Sequence, residues 1–317
     1  MEIITQRLKF YGEGSKMLGI VVVNLVVTIL TLGLYYPWAR AKMLQYTYGE
    51  TEFAGSRFAF HGTGKEMFKG FIKAIAIIGA LVIIYQIGIF SKNTALTVLT
   101  SIIYFVGILV LIPIAIHGGL RYRMSRTSWR GIHFGYRGNL RELFEICIKG
   151  TLLTVVTLGI YGSWFSINVR RYLAEHVRLG NCQFSYEGDG ADYFWLNFKG
   201  ILLTILTLGI YSFWYARDLN HYFFNHLKMI QNDNQSTFRS NLTAGDIFIT
   251  GLVNYFLVVF TLGIGTPWAI IRQMRMVLNN VELEGIFDPD NVEQTEENYN
   301  DATGEDMLDM LDIGLDF

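Results

Sequence analysis

The sequence predicts an all-α polytopic membrane protein of about six transmembrane segments, with short β-hairpins and basic amphipathic helices between repeated units and a disordered acidic C-terminal tail. Three observations predict it. About half of the 317 residues are apolar (51%) and 15% are aromatic, and they gather in runs of about twenty, enough to cross a hydrocarbon core of ~30 Å. The phrase Thr-Leu-Gly-(Ile/Leu) closes four of these runs, at 31–34, 157–160, 207–210 and 261–264, each time with a tryptophan seven residues after the threonine: Trp38, Trp164, Trp214 and Trp268. Such fixed spacing signals internal repetition. Between the runs an aromatic pair at period two recurs before a glycine, as Phe58/Phe60, Phe134/Tyr136 and Phe184/Tyr186, and alternation beside a turn reads as a β-hairpin.

Taken in order, the expected spans are Met17 to Trp38, Phe68 to Phe90, Leu96 to Ile116, Leu143 to Trp164, Tyr193 to Trp214 and Ile247 to Trp268. A soluble α/β protein fits poorly, because Leu96 to Ile116 and Ile75 to Ile84 have no polar face to give to water. The first run ends in Tyr-Tyr-Pro-Trp instead of a small-residue cleavage site, so it is expected to stay in the mature chain. The second and third runs meet at Ser91-Lys92-Asn93, a link so short that they must be antiparallel neighbours. Each of the other four runs belongs to one unit: hairpin strand, apolar helix, Thr-Leu-Gly break, tryptophan, basic aromatic helix. The expected membrane domain covers 1–287 as units of about 8–57, 58–133, 134–183, 184–237 and 238–287, and 288–317 is the tail.

Two sets of polar residues recur at fixed depth. Thr28 and Thr31, Thr154 and Thr157, Thr204 and Thr207, and Thr261 continue one helical face. Such a stripe is expected where helices touch through interhelical hydrogen bonds, or alternatively along a polar path for a solute. Seven residues before the threonine stand Asn24 and Asn254 in the outer units, and Lys149-Gly150 and Lys199-Gly200 in the inner ones. Asn24, Lys149, Lys199 and Asn254 are therefore candidates for an intramembrane polar level, and the four tryptophans for interface anchors. Only fourteen residues lie between each lysine and the next tryptophan, so either the lysines snorkel to the interface or these segments enter partway and turn back.

The formal net charge of −1 conceals an asymmetry, since residues 288–317 hold eleven Asp and Glu and no Lys or Arg. The body is basic. Arg40, Lys42, Arg121, Arg123, Arg126, Arg130, Arg170 and Arg171, interleaved with aromatics beside the apolar runs, are candidates for contact with anionic lipid headgroups, a better match than nucleic acid. Six crossings would place fourteen Lys and Arg on one face against nine on the other, a weak bias for a rule that normally decides. Re-entrant broken segments would instead gather every basic helix and hairpin on one cytoplasmic face. The tail alternates acidic and apolar residues, as in disordered segments that bind a protein partner or dock on a basic body.

No catalytic, cofactor or metal motif accompanies these features: the six histidines form no His-Glu-x-x-His, and neither a phosphate-binding glycine loop nor Gly-x-Ser-x-Gly occurs. Glu145 followed by Lys149 suits a local ion pair. Cys147 and Cys182 support no disulfide framework and are expected as free thiols.

The stretch Thr-Leu-Gly-Leu-Tyr-Tyr-Pro-Trp-Ala-Arg at 31–40, followed by Phe53-Ala-Gly-Ser-Arg-Phe-Ala-Phe-His-Gly-Thr-Gly64, resembles the YjgN family of bacterial inner-membrane proteins, a family of unknown function. The resemblance covers about 8–287. It implies a multi-pass protein of the bacterial inner membrane and supplies no substrate, cofactor or site residue. The expected role is non-enzymatic organisation of lipid or partner proteins, and the alternative is a transporter or channel for a small solute.

Overall fold

The computed structural model describes residues 4–295, which hold ten strands and ten α-helices in five successive strand–helix–helix–strand units. The first is β1 (Ile4–Phe10), α1 (Gly14–Leu30), α2 (Tyr36–Gly49) and β2 (Thr51–Phe53). The second is β3 (Ser56–Phe60), α3 (Gly64–Phe90), α4 (Thr94–Ser125) and β4 (Thr127–Trp129). Then follow β5 (Ile132–Tyr136), α5 (Leu140–Val156), α6 (Gly162–His176) and β6 (Val177–Leu179), and β7 (Cys182–Tyr186), α7 (Gly190–Leu206), α8 (Ser212–Asn225) and β8 (Leu227–Gln231). The last is β9 (Asn234–Ser240), α9 (Ala244–Phe260), α10 (Thr266–Leu278) and β10 (Val281–Gly285).

All ten strands join one closed antiparallel barrel in sequence order, sealed where β10 pairs with β1. Tight turns therefore occupy one end of the barrel and the five helical hairpins the other. Ala54–Gly55, Arg130–Gly131 and Asn232–Asp233 all take positive φ at both central positions, the turn geometry that follows the strand twist. Successive helices touch around a complete circle, with α10 against α1.

The period-two aromatics explain how the two layers meet. Leu8 lies opposite Phe53, Phe58 opposite Trp129, Phe134 opposite Leu179, Phe184 opposite Met229 and Phe238 opposite Leu283. These five cross-strand pairs form one apolar belt that fills the barrel. Two residues further along the first strand of the first four units, on the same face, Phe10, Phe60, Tyr136 and Tyr186 pack instead against helix residues. One aromatic of each pair thus fills the barrel and the other seats the helices.

The barrel overturns the expectation of an all-α protein with about six transmembrane segments. Among the described residues only α3 and α4 are long and apolar enough to cross a membrane, by length and composition. The other expected spans are divided. Leu143 to Trp164, for example, spreads over α5, a reversal at Thr-Leu-Gly and the start of α6. Residues 288–295, expected as part of a disordered tail, lie across the turn end of the barrel. Phe287 and Val292 enter its core, Gln231 donates to the Asp288 carbonyl at 2.9 Å, and Asn181 to that of Asn291 at 3.1 Å. The rest of the expected tail lies outside the described residues.

Candidate functional site

Each Thr-Leu-Gly phrase builds the same reversal. In the first, the Gly33 amide donates to the Thr28 carbonyl at 2.8 Å and the Leu32 amide to that of Ile29 at 3.1 Å, the paired bonds that close a helix C-terminus. Glycine usually takes the left-handed position of this motif. Here Leu32, Leu158, Leu208 and Leu262 hold it, with φ of 51, 51, 49 and 51°, at a cost of roughly 1–2 kcal/mol each. All four side chains are 93 to 95% exposed.

The threonine stripe serves these turns through its hydrogen bonds. The hydroxyl of Thr31 donates to the Val27 carbonyl at 2.8 Å and accepts from the Tyr35 amide at 3.1 Å. Thr157, Thr207 and Thr261 repeat the bridge to Tyr161, Tyr211 and Gly265. Thr28, Thr154 and Thr204 lend their carbonyls to the turn glycines.

The four-residue polar level does not converge. Asn24 is buried and donates to the Ala39 carbonyl at 3.3 Å, and Asn254 donates to that of Ala269 at 3.1 Å while accepting from Arg272 at 3.0 Å. At the same position of the inner units stand Gly150 and Gly200, where a Cβ would overlap the rings of Phe165 and Tyr215. Asparagine with alanine and glycine with an aromatic are thus two solutions of one contact within a hairpin. Lys149 and Lys199 are exposed on the outside, and Lys149 lies 3.9 Å from Glu145, which also meets Arg141 at 3.7 Å.

The tryptophans, expected as interface anchors, wedge one unit against the next. A Cβ on Gly64, Gly190 or Gly14 would overlap the ring of Trp38, Trp164 or Trp268. Trp214 is exposed and stacks on Tyr211. Fourteen residues after the turn threonine, a polar side chain reaches from one unit to a carbonyl of the next: Gln45 to Gly62 at 3.0 Å, Arg171 to Gly188 at 2.6 Å, His221 to Leu242 at 2.8 Å and Arg275 to Gly12 at 2.8 Å. Sequence reasoning missed this series, because its members share a position and a capacity to donate but not an identity.

Most of the expected headgroup cations are engaged inside the chain. Arg126 pairs with Glu66 at 2.9 Å, Arg130 with Asp290 at 2.7 Å, Arg170 lies 3.8 Å from the Phe223 ring centre, and Lys42 lies over Tyr35 at 5.7 Å. Arg40, Arg121 and Arg123 also have interactions within the chain. On the outer first helices α3, α5 and α7, Lys65, Lys69, Arg141, Lys149 and Lys199 are exposed, as are Lys42, Arg121 and Arg275 on second helices near the barrel. Beyond them the hairpins carry no Asp, Glu, Lys or Arg over 17–39, 74–91, 93–120, 150–169, 200–216 and 247–271. Lys92, between α3 and α4, is the charge at the tip of the longest hairpin, and it is exposed.

Above the barrel belt, α2, α4 and α10 line an open cavity of about 580 Å³, to which none of the first helices contributes. Phe58 and Phe134, 6.1 Å apart between ring centres, line it from the barrel side. Nearby, His61 contacts Ser128 at 2.7 Å and His133 at 5.3 Å between rings. Burial, then the neighbouring His133 and Arg126, hold the His61 pKa below its ordinary value. Both cysteines are free and buried, and burial in the barrel pushes the Cys182 thiol up to about 11.

A family model described as "Bacterial protein of unknown function (DUF898)" matches residues 5–185, 181–234 and 227–310. The inner membrane protein YjgN of Escherichia coli (strain K12) is 27% identical over 159 residues, 50% of this chain and 38% of that protein. Its namesake in Salmonella typhimurium is 29% identical over 173 residues, 50% of this chain and 42% of that protein. The matches thus span less than half the length of these relatives. No solved structure matches.

Proposed function

The chain belongs to the DUF898 family of bacterial proteins of unknown function, and from that premise we propose a non-enzymatic protein of the bacterial inner membrane. One hairpin, α3–α4, crosses the bilayer; the four others dip into one leaflet and hold the barrel against it. The protein organises the lipid around its helical ring through the tips and through the anionic headgroups that meet the outer lysines.

One observation carries this: the chemistry of each tip follows the length of its hairpin. The pair of helices long enough to cross ends on exposed Lys92, suited to water on the far side. The four shorter pairs end on a leucine that points away from the chain. About ten residues separate Lys149 from the turn at Gly159, and Lys199 from Gly209, or ~15 Å of helix, which is half of a ~30 Å core. Burying a leucine in hydrocarbon gains roughly 1.5–3 kcal/mol, enough to offset its left-handed backbone. In this topology every Lys and Arg except Lys92 lies on the barrel side, so the barrel faces the cytoplasm. The names of the curated relatives agree with that membrane. A solute path along the barrel axis is opposed by Trp129, Phe53 and Phe287 packed across it.

Membrane-impermeant maleimide applied to intact cells tests the topology on a background without Cys147 and Cys182. Lys92→Cys should react, whereas Leu158→Cys, Leu208→Cys and Gly55→Cys should not. Labelling at 158 or 208 would show that those hairpins cross, and would sink the proposal.

A further inference from the structure

We infer that the cavity between α2, α4 and α10 binds one acyl chain of a membrane lipid. The inner faces of the ring are filled unevenly. Sixteen residues after the turn threonine, α6 and α8 carry Leu173 and Phe223. Leu173 is buried, and Phe223 lies under Arg170 at 3.8 Å and packs on the cluster of Tyr186 and Tyr222. The same position in α2 and α10 holds the smaller Thr47 and Val277, and both line the cavity of about 580 Å³. The cavity is open on one side and its walls are mostly apolar, so water inside it finds few partners and an apolar occupant gains by displacing it.

The lining selects among occupants. Phe58, Phe134, Met124, Met274 and Leu278 offer carbon and sulfur. The hydroxyls of Thr51 and Thr127 already donate to the carbonyls of Thr47 and Arg123, both at 2.8 Å, so a polar solute would lose hydrogen bonds on entering. The two methionines make an adaptable, polarizable wall, which suits a flexible hydrocarbon chain. Gln273, exposed at the edge, leaves a donor and an acceptor for the ester end of that chain. With the ring set in the bilayer, the premise taken from the proposed function, lipid tails are the hydrocarbon at hand.

The test uses the full chain in phosphatidylcholine vesicles whose lipid carries a diazirine in one acyl chain, with photoadducts mapped by peptide mass spectrometry. Adducts are expected on Met274 or Val277 as well as on the tip leucines Leu158 and Leu208. The double variant Thr47→Phe, Val277→Phe should lose the first set and keep the second. Adducts confined to the tips in the unsubstituted protein overturn the cavity inference and leave the membrane placement standing. An absence of tip adducts overturns the placement itself. Cavity labelling by a free diazirine fatty acid in detergent, without any from the phospholipid, would replace lipid by fatty acid as the source and overturn the assignment. Mapping on the unsubstituted protein decides even if the double variant fails to fold.

Discussion

Arg275 donates to the main-chain carbonyl of Gly12 at 2.8 Å across 263 positions of sequence. It is the bond that the fourteenth-position series makes at the seam of the ring, where Trp268 also wedges against Gly14. Arg275→Met should therefore destabilise by about 1.5–3 kcal/mol, the range for a hydrogen bond to a charged group. Amide exchange should speed up most in β1, β10 and α1. Uniform acceleration over all five units would contradict a local role at the seam.

Gly150→Asn alone should cost about 1–3 kcal/mol, since the new side chain overlaps Phe165. Combining it with Phe165→Ala recreates the pairing of Asn24 with Ala39 and should recover most of the loss. A denaturation cycle on the two single variants and the double variant reads the coupling, and strict additivity would refute the idea of two interchangeable solutions.

Leu158→Gly removes the left-handed strain of its turn and also removes the tip side chain. If the tip sits in hydrocarbon, amide exchange around Thr157 in vesicles should rise despite the relaxed backbone. Slower exchange would mean that strain relief is the larger effect and that the tip has no lipid contact.

Because His61 has its pKa lowered in the folded state, the neutral imidazole is the form the fold prefers. Its contribution is fully present above the ordinary histidine value of about 6.5 and is lost as pH falls through the folded pKa, since the unfolded chain takes the proton first. The fall in thermal midpoint between neutral and acidic buffer should be smaller in His61→Gln than in the unsubstituted protein. An equal fall would remove His61 from the account.

With its thiol pushed up to about 11 and no side-chain exposure, Cys182 should resist maleimide near neutral pH in a Cys147→Ala background and react fully after denaturation. Rapid modification of the folded protein would show that the barrel core opens.

Parts of this architecture are legible in the sequence alone. Phe58/Phe60, Phe134/Tyr136 and Phe184/Tyr186 did mark strands, because alternation beside a turn is a local property. Their partners β2, β4 and β6 have three residues each, too few to show a period. The pairing of Ile4 with Gly285 has no local trace at all, so barrel closure stayed hidden. The Thr-Leu-Gly phrase is legible as a break, with a turn back as one of two expectations; the sequence alone leaves the two open, since leucine replaces the glycine that normally announces a left-handed cap. Asn24 and Asn254 stood out for polarity, while the meaning of Gly150 and Gly200 needed the rings of Phe165 and Tyr215 opposite them.

Pairing the first described strand with the last also governs the order of assembly. β1 leaves the ribosome long before β10 exists, so four hairpins form while the flank of α1 is still uncovered. The α9–α10 hairpin then arrives as a keystone between α8 and α1, in a gap whose width its predecessors have set. Late, long-range closure of this kind is slow, and until it happens each unfinished chain offers an open strand edge and an open helix flank to its neighbours on the same polysome.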